Sequence, residues 1–451
     1  MLDHSRLNIA IIGTGISGMS AAWLLDQGHN ITIFEKNSFV GGHCNTVDAR
    51  FGTGDQTTII PVDTGFIVYN EQTYPNLTAL FEHLDVATEN SSMSFSASVN
   101  EGQFEYSGSG LGGLLAQRRN LVRPRFWNMV LDILRFYKQT TADAELLKNT
   151  DLTLGDYLAA NGYSDAFLQD HILPMASSIW SASPDDMQSY PLAAFVRFFS
   201  NHGLLQRHKR YRPQWRTVTG GSREYVKKVT APFTDRIRLN TSVRSIERTD
   251  HKVTLNTADG TREIYDHVVI AAHADQALAM LAEPSDDEKK LLGAIRYERN
   301  DAVLHTDDSL MPQRRRAWSS WNYISGSDSQ HERLLCLTYW MNKLQNIDLK
   351  YPVFVTLNAY RPPNPKKVIA SFTFEHPIFD RAALNAQKDL WQLQGNRRVW
   401  LCGSYFGHGF HEDGIQSGLA VAEALGGRRR PWSVQSESGR IFLPDLVEIA
   451  A

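Results

Sequence analysis

The chain has few cysteines, no long apolar run and little net charge, and each of these limits the class of protein to which it can belong. It has only three cysteines, Cys44, Cys336 and Cys402, which are far apart and match no metal-ligand spacing, so we expect buried thiols in a reducing compartment and no metal site. No apolar run reaches the roughly 18 residues that span a bilayer. The formal net charge is only -3 at pH 7, which argues against bulk nucleic-acid binding.

Length and apolar content indicate a large folded protein. The chain has 451 residues, of which 42% are hydrophobic, enough for a sizeable core and for two or three domains of about 150 residues each. An apolar segment typical of a strand starts almost at once, so we expect no signal peptide. We therefore expect a cytoplasmic protein, which can still touch the inner face of a membrane from the side.

The beginning of the chain has the order strand, tight turn, helix, strand. Residues 7–12 are an apolar run typical of a buried parallel strand, residues 17–27 have helical spacing that Gly28 ends, and residues 30–34 alternate β-branched side chains. Between the first strand and the helix, residues 13–18 read GTGISG, the pattern G-x-G-x-x-G. In this setting the pattern predicts a dinucleotide-binding unit rather than a structural glycine turn.

Each glycine of this motif has its own physical role. Gly13 allows the tight turn, Gly15 lets a pyrophosphate approach the backbone, and Gly18 lets the helix pack closely on the sheet. The free N–H groups and the dipole at the helix start favour the phosphates. Glu35 ends the second strand, where a carboxylate accepts hydrogen bonds from ribose hydroxyls and disfavours a 2′-phosphate.

The motif alone does not distinguish FAD from NAD, and two further segments favour FAD. Gly41 and Gly42, shortly after Glu35, form a turn that can pass close to the ribose and the pyrophosphate. A buried strand over 397–402 and a helix over 415–425 place a helix start where it would stabilise negative charge on a reduced flavin. The alternative for the last segment is an ordinary helix with Asp413 as its N-cap.

Between the N-terminal motif and the C-terminal strand and helix, the expected secondary structure changes twice. Amphipathic helices are expected from about residue 71 to 214, and short strands over 243–246, 253–255 and 267–271, the last two separated by the turn Asp259-Gly260. Residues 281–394 mix strands and turns.

On these residues the chain resembles the flavin-containing amine oxidase and phytoene desaturase superfamily. The resemblance is carried by GTGISG, Glu35, GGH at 41–43, DTGF at 63–66, GGS at 220–222, VIAAH at 269–273 and residues 403–425. The chain is also similar to a narrower bacterial group of FAD-binding proteins, which are themselves similar to the flavin domain of some plant cyclopropane fatty acid synthases and to enzymes that desaturate methyl-branched acyl chains on the way to furan fatty acids. Residues 62–70, 215–222, 339–345 and 407–414 carry that narrower likeness.

The resemblance implies an α/β, bilobed, amine-oxidase-like architecture. A doubly wound, Rossmann-like FAD domain would be assembled from residues 1–70, 215–280 and 395–427. An α+β substrate domain would be formed by residues 71–214 and 281–394, leaving a C-terminal tail at 428–451.

The motif and the resemblance together predict a set of cofactor-binding residues. The backbone of Val243 would contact adenine, and the amide of Ile415 would face the pyrimidine edge of the flavin. The predicted set is Gly13, Gly15, Ile16, Ser17, Gly18, Glu35, Lys36, Gly41, Gly42, His43, Asp63, Gly65, Phe66, Val243, Ala272, Gly403, Gly414 and Ile415.

Two departures from the superfamily pattern affect the predicted chemistry. Lys343 is only the nearest candidate for the lysine that amine oxidases hydrogen-bond through water to flavin N5. The cysteine that tethers flavin in monoamine oxidases has no clear counterpart, so we expect non-covalent FAD.

Four residues are candidates for catalysis. His408 and His411 lie in the turn expected to face the flavin, and either imidazole could accept a proton near neutral pH. Tyr339 and Asn342 could line the flavin ring. The alternatives are loop histidines bonded to backbone and an aromatic core strand.

Two basic stretches interleave with aromatic and apolar residues, which suits anionic lipid headgroups as well as an ordinary solvated face. The first contains Arg118, Arg119, Arg123, Arg125, Arg135 and Lys138, and the second contains Arg207, Lys209, Arg210, Arg212 and Arg216.

The leading functional expectation is an FAD-dependent desaturase or oxidase of an apolar acyl chain, with a small molecule or a phospholipid acyl group as substrate. The alternatives are an amine oxidase that releases hydrogen peroxide, a redox-neutral flavoprotein such as an isomerase, and a flavin-binding partner subunit of a lipid methyltransferase.

Overall fold

A computed structural model describes residues 6–143, 147, 150, 152–180, 184–201, 213–326 and 336–444 of the chain. Most of the second basic stretch, Arg207 to Arg212, lies outside the described residues.

A five-stranded parallel sheet forms the centre of the half that contains the glycine motif. Its strands run in the order Ile237–Arg238, Asn30–Phe34, Asn8–Ile12, His267–Ile270 and Val399–Leu401. Successive side chains of these strands point to opposite faces of the sheet and are buried in two different cores, as is typical of parallel strands covered on both faces. Ile9 and Ile11 face one core, whereas Ala10 and Ile12 face the other.

Two glycines let a pair of helices pack closely over this sheet. The helices Ile16–Leu25 and His411–Ala424 meet where Gly414 and Gly418 lie. A Cβ on Gly418 would stand 2.2 Å from the carbonyl oxygen of Ser17, so a larger residue would separate the helices.

A seven-stranded mixed sheet forms the second half. Its order is Val368–Ile378, Arg296–His305, Phe354–Leu357, Cys336–Trp340, Trp321–Ile324, Phe95–Val99 and Phe104–Ser107. Every neighbouring pair is antiparallel except Trp321–Ile324 with Phe95–Val99.

Three small antiparallel sheets complete the strands. The first contains Val243–Arg248, Val253–Thr257 and Arg262–Tyr265, the second Thr46–Phe51 and Thr58–Asp63, and the third Tyr69–Asn70, Trp215–Val218 and Thr88–Ser91.

The remaining helices connect or cover these sheets. The α-helices are Pro75–His83, Leu111–Leu114, Pro124–Ala142, Leu154–Ala160, Asp165–Phe167, Leu173–Trp180, Pro184–Gln188, Leu192–Asn201, Arg223–Thr230, Ala274–Met280, Asp286–Gly293, Met341–Leu344 and Arg381–Gln387. The segment Leu168–Ile172 is a π-helix. Short 3-10 turns occur at Gly54–Gln56, Arg118–Val122, Ala231–Arg236, Asp308–Leu310, Arg315–Ala317, Pro365–Lys367, Leu390–Leu393, Asn396–Arg398 and Ser404–Phe406. Within the described ranges, no helix has the length and apolar character needed to cross a bilayer.

The α/β fold class is confirmed, and three local expectations need correction. The region expected to be helical contains strands at Thr88–Ser91, Phe95–Val99 and Phe104–Ser107, which are stabilised by pairing with distant strands. The Asp259-Gly260 turn leads into the additional strand Arg262–Tyr265. The last helix begins at His411, four positions before the expected start.

Candidate active site

One continuous cavity of about 1290 Å³ runs between the two halves. At one end the exposed residues Lys36, Phe39 and Arg244 line it, and at the other end the exposed residues Gly108 and Ser109 do. Pockets for drug-sized ligands usually measure about 300–1,000 Å³. The cavity therefore has room for a long dinucleotide and for part of a second molecule.

The glycine loop, residues 13–18, lines the cavity with residues 13–17 at the end where Lys36 and Phe39 lie. Gly13 has φ +102°, and a Cβ on Gly18 would lie 2.0 Å from the Gly13 carbonyl oxygen, so both positions require glycine for the fold itself. Gly15 differs, because a Cβ there would meet no protein atom within 4 Å. Gly15 lines the cavity, so its missing side chain leaves space for a ligand.

The backbone amides that follow this loop can bind an anion. We call the glycine loop and these amides the cradle. The amide of Met19 donates to the carbonyl oxygen of Gly15 at 2.9 Å, and the amides of Ile16 and Ser17 precede this first helical bond. Ile16 and Ser17 both line the cavity. Their position fits a pyrophosphate held at a helix N-terminus.

Glu35 is less free than the sequence suggested. Its Oε2 accepts hydrogen bonds from the Thr14 amide, at 3.0 Å, and from the Thr14 hydroxyl, while Oε1 accepts from the Asn37 amide at 2.9 Å. The Thr14 amide is therefore occupied by protein, and the anion-binding amides of the cradle start at Gly15. Oε1 retains a lone pair on a cavity-lining side chain, so a ribose hydroxyl can still donate to Glu35.

The Gly41–Gly42 turn packs directly on the glycine loop. Gly42 has φ +58°, and a Cβ there would lie 3.1 Å from Cα of Gly15. The amide of Gly41 donates to the Thr14 hydroxyl at 3.3 Å. The turn thus closes over the cradle, as expected for a turn near the pyrophosphate.

Most of the predicted cofactor-binding residues lie on this cavity. Those that line it are Gly13, Gly15, Ile16, Ser17, Glu35, Lys36, Gly41, Gly42, His43, Gly65, Phe66, Val243, Ala272 and Gly403. Gly18, Asp63, Gly414 and Ile415 do not line it.

Asp63 is turned away from the cavity and joins three chain segments. Its Oδ1 accepts from the amide and the hydroxyl of Ser222, at 2.9 and 2.8 Å, and from the Thr46 hydroxyl at 2.6 Å. Gln345 donates to Oδ2 at 3.0 Å. Burial raises the pKa of Asp63 to about 6. Its prediction as a direct cofactor contact needs correction, because these bonds occupy the carboxylate.

The last helix also differs from the expectation in its register. The amide of Gly414 already donates to the carbonyl oxygen of Phe410 at 3.1 Å, so Ile415 lies inside the bonded helix. The Asp413 carboxylate accepts from the Phe410 amide at 2.8 Å and acts within the first turn, not as the N-cap. The amide of Ile415 is therefore not free for a flavin, and Gly414 serves helix packing.

His411 lines the cavity but is held by protein groups. Its Nε2 lies 3.0 Å from Cys44 Sγ and 3.1 Å from Tyr225 Oη, and its ring stacks on Phe66 with centroids 3.7 Å apart. Burial, and secondarily His43, lower the pKa of His411 to about 3. A base with so low a pKa accepts a proton poorly at neutral pH, so the geometry favours a positioning role for His411.

The other catalytic candidates divide into two groups. His408 and Tyr339 line the cavity, and so does Lys343, whose pKa burial lowers. Asn342 does not line it: its amide nitrogen donates to the Tyr351 carbonyl at 2.9 Å, and its oxygen accepts from the Val353 amide. The prediction of Asn342 as a catalytic residue needs correction, because its side chain is used to hold this loop.

Sequence reasoning placed His43 at the cofactor but missed the cluster of neutral histidines to which it belongs. The ring of His43 lies 6.5 Å from that of His273 and 5.5 Å from that of His376, measured between centroids. Burial is the main cause that lowers the pKa of these rings, to about 4 for His43 and His273 and about 3 for His376. His273 follows a predicted strand, so its place was foreseeable, whereas His376 arrives from a distant strand with no local signal.

None of the three cysteines, which all lie in described parts of the chain, lines the cavity. Cys402 is buried between the parallel sheet and the last helix. This placement offers no thiol for a covalent link to a bound dinucleotide.

Two cations of the first basic stretch form ion pairs within the protein. Arg125 binds Asp170 at 2.6 Å and Asp165 at 2.8 Å, and Arg135 binds Asp132 at 3.0 Å. From the second stretch, Arg216 pairs with Glu71 at 3.4 Å and donates to the Thr88 hydroxyl at 2.8 Å. These contacts agree with the alternative of intramolecular ion pairs for part of each stretch.

Comparisons with known proteins agree with this geometry. The family model "Flavin containing amine oxidoreductase" matches residues 16–426. A stretch of 47 residues is 51% identical to the zeta-carotene desaturase of Solanum lycopersicum, but it covers only 10% of this chain and 8% of that protein.

Two solved structures share the fold over nearly the whole chain. The CLA-producing fatty acid isomerase from P. acnes has a TM-score of 0.63 at 15% identity, covering 94% of this chain and 99% of its own. Cyclohexylamine oxidase from Brevibacterium oxydans IH-35A has a TM-score of 0.63 at 17% identity, covering 93% and 100%. The amine-oxidase-like architecture is thus confirmed. The chain belongs to the flavin-containing amine oxidoreductase family and is an FAD-dependent oxidoreductase.

Proposed function

We propose that the protein dehydrogenates an apolar acyl chain. The observation that carries this proposal is the part of the cavity beyond the dinucleotide cradle, which we call the distal arm. Its lining side chains are Met93, Phe95, Tyr106, Tyr137, His171, Met175, Ile179, Trp180 and Phe198. These side chains suit a long apolar group, because burying its methylene groups yields about 0.8 kcal/mol each.

The charge distribution along the cavity supports the same substrate class. Among the described residues, the acidic side chains on the cavity are Glu35 and Glu375, and neither belongs to the distal arm. Glu375 lies 3.4 Å from His273, beside the cradle. An ammonium group bound in the distal arm would therefore lack a carboxylate partner, which favours an acyl chain over an amine.

The proposed reaction breaks two C–H bonds on adjacent carbons and forms a C=C bond. Bound FAD supplies the acceptor for a hydride, and the electrons leave to an external acceptor such as dioxygen. The remaining proton must pass to a base or to water. His408 is the candidate base, because it lines the cavity.

An exposed apolar face beside the distal arm supports access from a membrane. Trp127, Leu131 and Leu134 lie on one side of the helix Pro124–Ala142 and are 42%, 62% and 43% exposed. Val122, just before this helix, is 83% exposed. We propose that this face contacts the lipid surface from which the acyl chain enters. Neighbouring Arg118 and Lys138 would favour anionic headgroups.

Anaerobic reduction tests the proposed substrate class. The purified yellow protein is titrated with phospholipids, free fatty acids, polyamines and aromatic amines while the oxidised flavin band is followed. We expect bleaching by an acyl lipid, with a new double bond in the recovered lipid. Bleaching by amines alone would overturn the proposal in favour of an amine oxidase. Bound FAD that no lipid or amine reduces would favour a partner subunit of a methyltransferase.

A further inference from the structure

One irregular turn interrupts the helical run that borders the distal arm. The segments Asp165–Phe167 and Leu173–Trp180 are α-helical, whereas Leu168–Ile172 between them is a π-helix. Such turns are rare and occur frequently at functional sites. His171 lies in this turn and lines the cavity.

The hydrogen bonds around His171 determine which of its ring nitrogens carries the proton. The hydroxyl of Tyr106 donates to the carbonyl oxygen of Asp170 at 2.9 Å and lies 2.8 Å from Nδ1 of His171. A carbonyl oxygen can only accept, so the two contacts of this single-proton hydroxyl are both hydrogen bonds only when Nδ1 donates to Tyr106 Oη. The other nitrogen, Nε2, is then a bare acceptor.

This acceptor has no protein partner. Nε2 of His171 is enclosed and makes no hydrogen bond within the described part of the chain, although His171 is only 6% exposed. Burial lowers the pKa of His171 to about 3, so the ring is neutral at pH 7. The neighbouring Asp170 carboxylate is held by Arg125 at 2.6 Å and does not compete for Nε2. An unsatisfied buried acceptor of this kind requires an explanation.

The surroundings of His171 define the ligand group that fits it. Met175 and Ile179 follow at positions i+4 and i+8 and line the same cavity, so His171 is the polar member of an apolar stripe. A carboxylate would face the lone pair of Nε2, and an ammonium would find no acid in the distal arm. An uncharged O–H group satisfies Nε2 without either conflict.

We propose that His171 Nε2 anchors the hydroxyl group of a substrate whose remaining chain is apolar and lies along Met175 and Ile179. This inference deepens the function proposed above, on which it rests, by assigning a polar group to the substrate. Tyr106 is the positioning residue, because its hydroxyl fixes the tautomer that leaves Nε2 unprotonated.

Equilibrium dialysis of the FAD-loaded protein with labelled decyl probes tests the anchor without measuring turnover. The probes are 1-decanol, 1-methoxydecane, decanoate and decylamine. The ether retains the chain and the oxygen of the alcohol but lacks the O–H donor. We expect the wild type to bind 1-decanol about tenfold more tightly than 1-methoxydecane, the ratio typical of one buried hydrogen bond, and to bind both charged probes more weakly.

Three variants separate the anchor from the general shape of the cavity. His171→Phe should bind both uncharged probes equally, whereas His171→Gln, which keeps an acceptor, should recover part of the preference for the alcohol. Met175→Leu on the same stripe should keep the full preference. FAD content and melting temperature matching the wild type show that the variants are folded.

The outcomes also separate this inference from the proposed function. If His171→Phe keeps the tenfold preference, or if the wild type prefers decanoate or decylamine, the hydroxyl anchor is wrong while binding of an apolar chain stands. If the wild type binds none of the decyl probes, both proposals are wrong.

Discussion

The two ends of the cavity are built in different ways. The dinucleotide end is mostly backbone: Gly13, Gly15 and Gly42 bring main-chain atoms together, and Glu35 supplies one carboxylate. The distal arm is mostly side chain, with Phe95 and Tyr106 arriving from the mixed sheet and the other rings from helical segments. A cradle made of backbone atoms recognises a fixed group such as a pyrophosphate. A surface made of side chains can bind a different ligand when its residues are substituted.

The largest expected effect would come from filling the space over Gly15. Gly15→Val should abolish FAD binding, because the new side chain would occupy the phosphate site, yet the apoprotein should keep its stability since no protein atom lies within 4 Å of a Cβ there. The ratio of flavin to protein absorbance measures this loss. Gly28→Val is the matched control, because Gly28 is equally unobstructed and lies off the cavity. A yellow Gly15→Val protein would contradict the assigned cradle.

Gly18 should show the opposite behaviour within the same motif. Gly18→Ala places a Cβ 2.0 Å from the Gly13 carbonyl oxygen, so the helix must move away from the sheet. We expect the free energy of unfolding of the apoprotein to fall by about 2–3 kcal/mol. Chemical denaturation without FAD measures it. An apoprotein as stable as the wild type would show that the helix can shift at no cost.

In the distal arm, a larger side chain should affect the chain-like ligand and spare the cofactor. Ile179→Trp should weaken binding of 1-methoxydecane about tenfold by removing volume from the arm, while FAD content stays unchanged. Equilibrium dialysis and flavin absorbance measure the two effects. Ile179→Leu, of equal volume, is the control. Loss of FAD in Ile179→Trp would contradict the separation of the two ends.

Acid should destabilise the cavity through its buried histidines. Burial, as the main cause, lowers the pKa of His171, His376 and His411 from 6.5 to about 3. The unfolded chain then binds more protons than the folded one below pH 6.5, so stability is fully present above that pH and is lost as pH falls towards 3. The slope is at most about 1.4 kcal/mol per pH unit for each ring.

Melting temperatures between pH 7 and pH 5 check this dependence. The wild type should melt at progressively lower temperature, and His171→Phe should show a shallower decrease, because one of the contributing rings is gone. Equal slopes in the wild type and His171→Phe would show that His171 is already charged at pH 5.

The smallest effect is expected at the exposed face of the helix Pro124–Ala142. Leu131→Glu should reduce binding to vesicles of phosphatidylglycerol and phosphatidylcholine about fivefold, through the lost apolar contact and the added negative charge. Sedimentation with the vesicles measures the bound fraction. Ile264→Glu, at a residue with similar exposure on a distant hairpin, should not change it. Equal binding by both variants would exclude this face from membrane contact.

The sequence alone determined the dinucleotide unit. The strand Asn30–Phe34 has the predicted bounds, and the helix Ile16–Leu25 lies within two residues of its prediction. Gly13, Gly18 and Glu35 were identifiable because they act on neighbours within one strand–turn–helix–strand unit, whose hydrogen bonds and periodicity are local. The division of the chain into domains at the expected boundaries stays a prediction.

Tertiary structure alone decided which polar groups face the cavity. Asp63 and Asn342 looked like site residues, yet partners far along the chain hold the carboxylate of Asp63, and the backbone of its own loop holds the side chain of Asn342. His171 and His376 gave no local signal, and distant strands and a π-turn place them on the cavity. The physical reason is that a side chain's direction depends on which remote segments satisfy its hydrogen bonds, and no periodicity in the sequence records those segments.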